Sequence, residues 1–122
     1  MPFIFAVSGL KKSGKTTAAL FLASRLKAAG CALCYVKRSH ETISTPLSEP
    51  GTDTGRAVAL GVRTFLWTPL GLRYVAEEGR EAEVLNKNLT LDDIYPYLVP
   101  SDVVIIEGGK NLDVPKIWLG KI

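Results

Sequence analysis

The sequence predicts an α/β fold in three layers, with a mostly parallel sheet covered by helices on both faces and a hairpin at its edge. Three observations carry that reading. An apolar, strand-like run at 2–8 passes through a glycine-bearing turn into a helical run at 15–29, and a second strand-like run follows at 31–38. Strand, turn, helix, strand at this tempo is a βαβ unit, whose strands lie parallel with a right-handed crossover. Further on, Val103-Val104-Ile105-Ile106 is continuously apolar, as a strand covered on both faces requires. Finally, Arg63-Thr64-Phe65-Leu66-Trp67-Thr68, Pro69-Leu70-Gly71 and Leu72-Arg73-Tyr74-Val75-Ala76 read as strand, turn and strand.

Each element has its own justification. In the first helix Ala18, Leu22, Leu26 and Ala29 recur on one face, and Gly30 stands where a helix stop is favoured. Cys31 and Cys34 fall within the next strand-like run. An offset of three along a strand puts them on opposite faces, so small buried apolar roles are expected rather than chelation or a mutual disulfide. Residues 39–52 are rich in Ser, Thr, Pro and Gly, a long loop for a small domain and a candidate mobile functional segment. Helical patterns follow at 53–60 and 91–98, with a weaker one near 80–87. Strand-like runs fall at 62–67, 72–77, 102–107 and 115–119. One domain over 1–122 is expected.

Composition narrows the function classes. With 47% apolar and 22% charged residues, the chain has the balance of an ordinary globular protein. Its net charge of +3 suits anionic ligands but is too mild and dispersed to argue for nucleic acid. No apolar run approaches the roughly 18 residues of a spanning helix, so no membrane role is expected. The amino terminus shows no charged leader, which makes a cytoplasmic protein the expectation.

Gly9-Leu10-Lys11-Lys12-Ser13-Gly14-Lys15-Thr16 fills every fixed position of the phosphate-binding pattern G-x-x-x-x-G-K-[ST], between a strand and a helix as the pattern demands. Its glycines allow backbone N–H groups to face phosphate oxygens, and the following helix adds its own free N–H groups and dipole. Lys15 supplies charge for the outer phosphates, and the Thr16 hydroxyl suits Mg²⁺. Gly9, Lys11, Lys12, Ser13, Gly14, Lys15, Thr16 and Thr17 are therefore candidate nucleotide-binding residues.

Three more clusters fall at the ends of strands, where an open α/β sheet places its ligands. They are Lys37-Arg38-Ser39-His40, Asp53-Thr54-Gly55-Arg56 and Glu107-Gly108-Gly109-Lys110. Glu107 closes an apolar strand in the Walker B manner, a position that serves the shell of a magnesium ion. Asp53 opens a helix, where it is also a favoured cap. His40, the single histidine, stands beside two cations, and the planar fork of Arg56 suits a phosphate. Trp67 and Trp118 lie in strand patterns, which favours core or dimer-interface positions over base stacking.

Together these clusters, with Pro50-Gly51-Thr52 and Pro115-Lys116-Ile117, resemble the MobB family of molybdenum-cofactor dinucleotide synthesis, in order and spacing across nearly the whole chain. The resemblance implies a P-loop NTPase fold, binding of GTP with Mg²⁺, weak hydrolysis at most, and a homodimer. It also implies partnership with the molybdopterin guanylyltransferase (a MobA-like enzyme) and possible contact with molybdopterin. Carried over by position, Lys15 and Thr16 would hold phosphate and metal, and Asp53 and Glu107 would serve the magnesium shell or the attacking water. His40 and Arg56 would belong to loops facing phosphate or pterin.

The chain departs from the family pattern at Glu41, where a second histidine is usual, at Gly55 and Val58, and at Leu60-Gly61. Family members also continue beyond the Pro-Lys-Ile element through a further strand and helix, so either a shortened member or a divergent relative is expected. Asn86-Lys87-Asn88-Leu89 lacks the Asp of a guanine-reading element. Two alternatives remain open from residues alone: a small P-loop kinase acting on a small acceptor, since the same loop serves kinases, and a non-catalytic dimeric scaffold. Against the kinase, Val75-Ala76-Glu77-Glu78-Gly79-Arg80 is the nearest lid-like segment, and it is acidic.

Overall fold

The computed structural model describes residues 1–10, 13–76 and 79–120. Its elements in chain order are β1 (Phe3–Gly9), α1 (Lys15–Ala28), β2 (Leu33–Arg38), α2 (Asp53–Ala59), β3 (Arg63–Thr68), β4 (Gly71–Val75), β5 (Glu81–Leu85), α3 (Leu91–Leu98), β6 (Val103–Glu107) and β7 (Lys116–Leu119). The seven strands form one sheet in the order β5-β4-β3-β2-β6-β1-β7. From β3 to β7 every pairing is parallel; β4 and β5 add antiparallel strands at one side. This is the mostly parallel α/β sheet of a P-loop NTPase-like fold.

Alternation along the strands sorts side chains into two cores, because successive side chains point to opposite faces. One face gathers Ala6, Cys34, Val36, Phe65, Trp67, Val104 and Ile106 against Ile94 and Leu98 of α3. The other gathers Val7, Leu33, Tyr35 and Ile105 against Ala19, Leu20 and Ala23 of α1 and Ala57 of α2. Helices therefore cover both faces, as the continuous apolar strands required. The outer layer under β6 and β1 is completed by Leu112 and Val114 of the segment joining β6 to β7.

Several boundaries and faces differ from the sequence reading. The buried stripe of α1 is Ala19, Leu20 and Ala23; Ala18, Leu22 and Leu26 flank it, and Ala29 is exposed. Gly30 ends the helix as expected, with its N–H on the Lys27 carbonyl (2.9 Å) and the Cys31 N–H on that of Leu26 (3.1 Å), the Schellman pattern. Cys31 precedes β2 and is only partly buried, whereas Cys34 lies in the core. Their contacts are with opposite faces of the sheet and both are free thiols.

The weak helical pattern near 80–87 is a strand, β5. Its residues alternate between exposed and half-buried, and pairing with β4 outweighs the helix preference of Glu, Ala and Leu. The β3–β4 hairpin forms as expected, but β5 and not β4 is the edge. Residues 39–52 are tied down. The Arg73 guanidinium donates to the Ile43 and Thr45 carbonyls and pairs with Glu81, whose carboxylate also accepts the Leu47 N–H (2.7 Å). Leu47 itself is buried.

Candidate functional site

Register places the site. Val7 of β1 and Lys37 of β2 both align with Glu107 of β6, so three adjacent strands end together. The connections from β1 and β6 leave in opposite directions, toward β2 and β7, which makes this a switch point where open α/β sheets bind ligands. A cleft of about 480 Å³ opens there, lined among others by Gly9, Lys15, Arg38, His40, Lys110 and Trp118. Its floor is stitched by the Ser8 hydroxyl, which donates to the Gly108 carbonyl at 2.6 Å, and by the Gly108 N–H on the Val7 carbonyl.

The loop from Gly9 to Thr16 is shaped by two glycines. A Cβ on Gly9 would lie 2.3 Å from the Leu119 carbonyl oxygen of neighbouring β7, so any larger residue would force the loop off the sheet. Gly14 caps α1 at φ +88°, a left-handed conformation with open space around it; the constraint is backbone sterics alone. Lys11 and Lys12 lie outside the described residues.

α1 begins without help from side chains. No side chain caps it and its first turn holds no acidic residue. The other two helices are treated differently. Thr52 caps α2, with Asp53 in the first turn, and Thr90 with Asp93 forms a capping box on α3. The unpaired N–H groups and positive dipole end of α1 are thus left for an external anion. Ser13 Oγ adds to this: it is buried and has no hydrogen-bond partner among the described residues. A buried hydroxyl without a partner costs about 1–3 kcal/mol, and a phosphate oxygen would satisfy it.

Beside the loop four elements bring oxygen and nitrogen together. Thr16 Oγ1 of α1 donates to Asp53 Oδ2 of α2 at 3.4 Å. The Lys37 ammonium of β2 pairs with the same Asp53 oxygen and, at 3.1 Å, with Glu107 Oε2 of β6. The other oxygen of Glu107 accepts the Tyr35 hydroxyl. Glu107 is only 2% exposed, and each oxygen of this buried carboxylate has a partner, as its charge requires. Burial, and then the Glu107 charge, push the Tyr35 hydroxyl far above the ordinary phenol range, with the Arg56 guanidinium opposing weakly. Burial pulls Lys37 down, but its contacts with Asp53 and Glu107 outweigh that and raise it. Burial lowers Arg38, whose guanidinium lies 4.4 Å from the centre of the Trp67 ring.

The structure therefore brings Gly9, Lys15 and His40 to one cleft and Thr16, Asp53 and Glu107 to one polar cluster beside it. Thr17 is exposed on α1, and Arg56 is exposed near the end of α2 without lining the cleft. Trp67 is core, its indole N–H donating to the Leu89 carbonyl at 3.1 Å. Trp118 is not: it is 38% exposed and lines the cleft, because β7 is the last strand of the sheet and is exposed from Lys116 to Trp118. The reading from residues missed Tyr35 and Lys37 as partners of the acids. The available signal was their alternation on β2 opposite an acidic strand end.

Thr16 and Asp53 offer hard oxygen donors suited to magnesium. Adjacent ligands of an octahedral Mg²⁺ at roughly 2.0–2.1 Å lie about 2.9 Å apart, so the 3.4 Å pair needs only a small closure. Among the described residues no group of three or more His, Cys, Asp and Glu could hold a metal by itself. A magnesium ion here would need phosphate oxygens to complete its shell, the usual arrangement with nucleotides. Also among the described residues, no helix is long and apolar enough to cross a membrane.

No curated protein sequence matches the chain. The family model described as molybdopterin guanine dinucleotide synthesis protein B matches residues 4–121, nearly the whole length. With a phosphate loop between β1 and α1 and the acidic ends of β6 and α2 beside it, the chain belongs to the MobB family, a P-loop nucleotide-binding family of molybdopterin guanine dinucleotide synthesis.

Proposed function

We propose that this protein binds GTP with Mg²⁺ and serves molybdopterin guanine dinucleotide synthesis as an accessory to the guanylyltransferase that joins GMP to molybdopterin. The observation that carries the reading is the start of α1, which has no side-chain cap and whose Ser13 hydroxyl has no partner among the described residues, with Lys15 in the adjoining cleft. Lys15 and the loop N–H groups would neutralise the phosphates, and Thr16 with Asp53 would hold the magnesium ion. When bound, that ion draws charge from the outer phosphates. Glu107, held by Tyr35 and Lys37, would orient a water molecule through the lone pair that each carboxylate oxygen has left.

Hydrolysis on this reading is slow. Positioning and charge are the only resources, and the sequence offers no evident water-positioning Gln beside Asp53 and Glu107. Charge supplied across a homodimer, by Lys11 or Arg56 of a second copy, would raise it; turnover per molecule should then increase with protein concentration. The arginine and histidine side of the cleft, at Arg38 and His40, is the side for a second anionic ligand such as a pterin phosphate.

Isothermal titration tests the core of this reading. GTP with Mg²⁺ should bind in the micromolar range, and Lys15→Ala should weaken it by at least tenfold, about 1.4 kcal/mol. Absence of heat with GTP and with ATP at millimolar concentration would end the assignment.

A further inference from the structure

Asp53 Oδ2 is claimed twice. It accepts from Thr16 Oγ1 and it pairs with the Lys37 ammonium. A divalent ion bridging Thr16 Oγ1 and the Asp53 oxygen that faces it would take Oδ2, so the ion and the ammonium compete for it. The two carboxylates that Lys37 bridges are unequal. Glu107 is locked: its side chain is 3% exposed, its second oxygen holds the Tyr35 hydroxyl, and it aligns with Lys37 across adjacent strands. Asp53 is looser, with 28% of its side chain exposed at the first turn of a short helix. Removing the cation from Glu107 would strand a buried charge, which is costly; removing it from the half-exposed Asp53 is not.

We propose that Lys37 is an internal counter-cation that occupies the carboxylate of the metal site, and that a divalent ion binds by displacing the ammonium from Asp53 while Lys37 keeps its hold on Glu107. This deepens the proposed function and rests on its assignment of Asp53 to the metal. Lys37 is a positioning residue on this account. Its consequence is coupling. A bare ion finds too few ligands to overcome the resident ammonium, whereas an ion arriving on a triphosphate brings its own oxygens. Metal and nucleotide therefore bind together.

The test uses Mn²⁺ with nucleotide-free protein, followed by electron paramagnetic resonance of the free ion. Wild type should bind Mn²⁺ weakly, and Lys37→Met should bind it at least tenfold more tightly. A purely structural lysine would give the opposite sign, since its loss would disorder the acids. Lys87→Met, which removes an exposed charge outside the cleft, should change the affinity less than twofold. Equal or weaker binding by Lys37→Met, or a tenfold gain from Lys87→Met, would overturn the proposal. If Lys37→Met proves unstable, Lys37→Gln keeps a donor without the charge and is read the same way. Because no nucleotide is present, the outcome is independent of whether GTP binds.

Discussion

Cys34 shows how one buried atom sets a measurable property. Its thiol lies in the core, donates to the Leu98 carbonyl at 3.3 Å, and is pushed above its ordinary 9.0 by burial, with Arg63 and Ser101 opposing. A thiol raised in the folded state contributes stability in full below pH 9.0, and that contribution is lost as pH climbs through the raised value. At pH 8, iodoacetamide should modify the half-exposed Cys31 and spare Cys34 until the protein unfolds, as peptide mass mapping would show. The urea midpoint should fall above pH 9.0, and less steeply in Cys34→Ala. The burial of this residue was legible from the sequence. The Lys37 bridge was not, because its two partners are 16 and 70 residues away, Glu107 brought in by strand register and Asp53 by the docking of α2.

Helix starts carry the lesson at the level of elements. Thr90→Ala removes a capping box and should cost about 1 kcal/mol in urea denaturation while leaving nucleotide affinity unchanged. Gly14→Ala should cost about 1–2 kcal/mol, the penalty of a left-handed side-chain residue, and should also abolish GTP binding, because the turn it strains aims the N–H groups of α1. Equal effects on nucleotide affinity would contradict the contrast between the two helices. Most elements could be read directly, since continuous apolar strands and one-faced helices differ in period. β5 could not. Glu81-Ala82-Glu83-Val84-Leu85 has helical composition, and only the exposed side of β4 makes it a strand. Likewise nothing local announced that Arg73 would bind the 39–52 segment, since its acceptors are main-chain carbonyls about thirty residues upstream.

Across the whole molecule, topology alone gathers the chemistry at one end of the central strands. β6 enters between β1 and β2, which sets Glu107 beside Lys37, next to the crevice at the phosphate loop. The loop pattern and the acidic strand end made that crevice legible in sequence. Its far wall was not, because it depends on β7 pairing with β1 as the last strand of the sheet.

That last pairing gives the protein an optical reporter. Trp67 is 1% exposed and sealed from solutes, whereas Trp118 is 38% exposed at the mouth of the crevice. Iodide should therefore quench only the redder component of the emission, and Trp118→Phe should abolish the quenching. Occupation of the crevice by GTP should shield that component, so ligand arrival can be followed by fluorescence without any label. Quenching that nucleotide leaves untouched would place the ligand elsewhere.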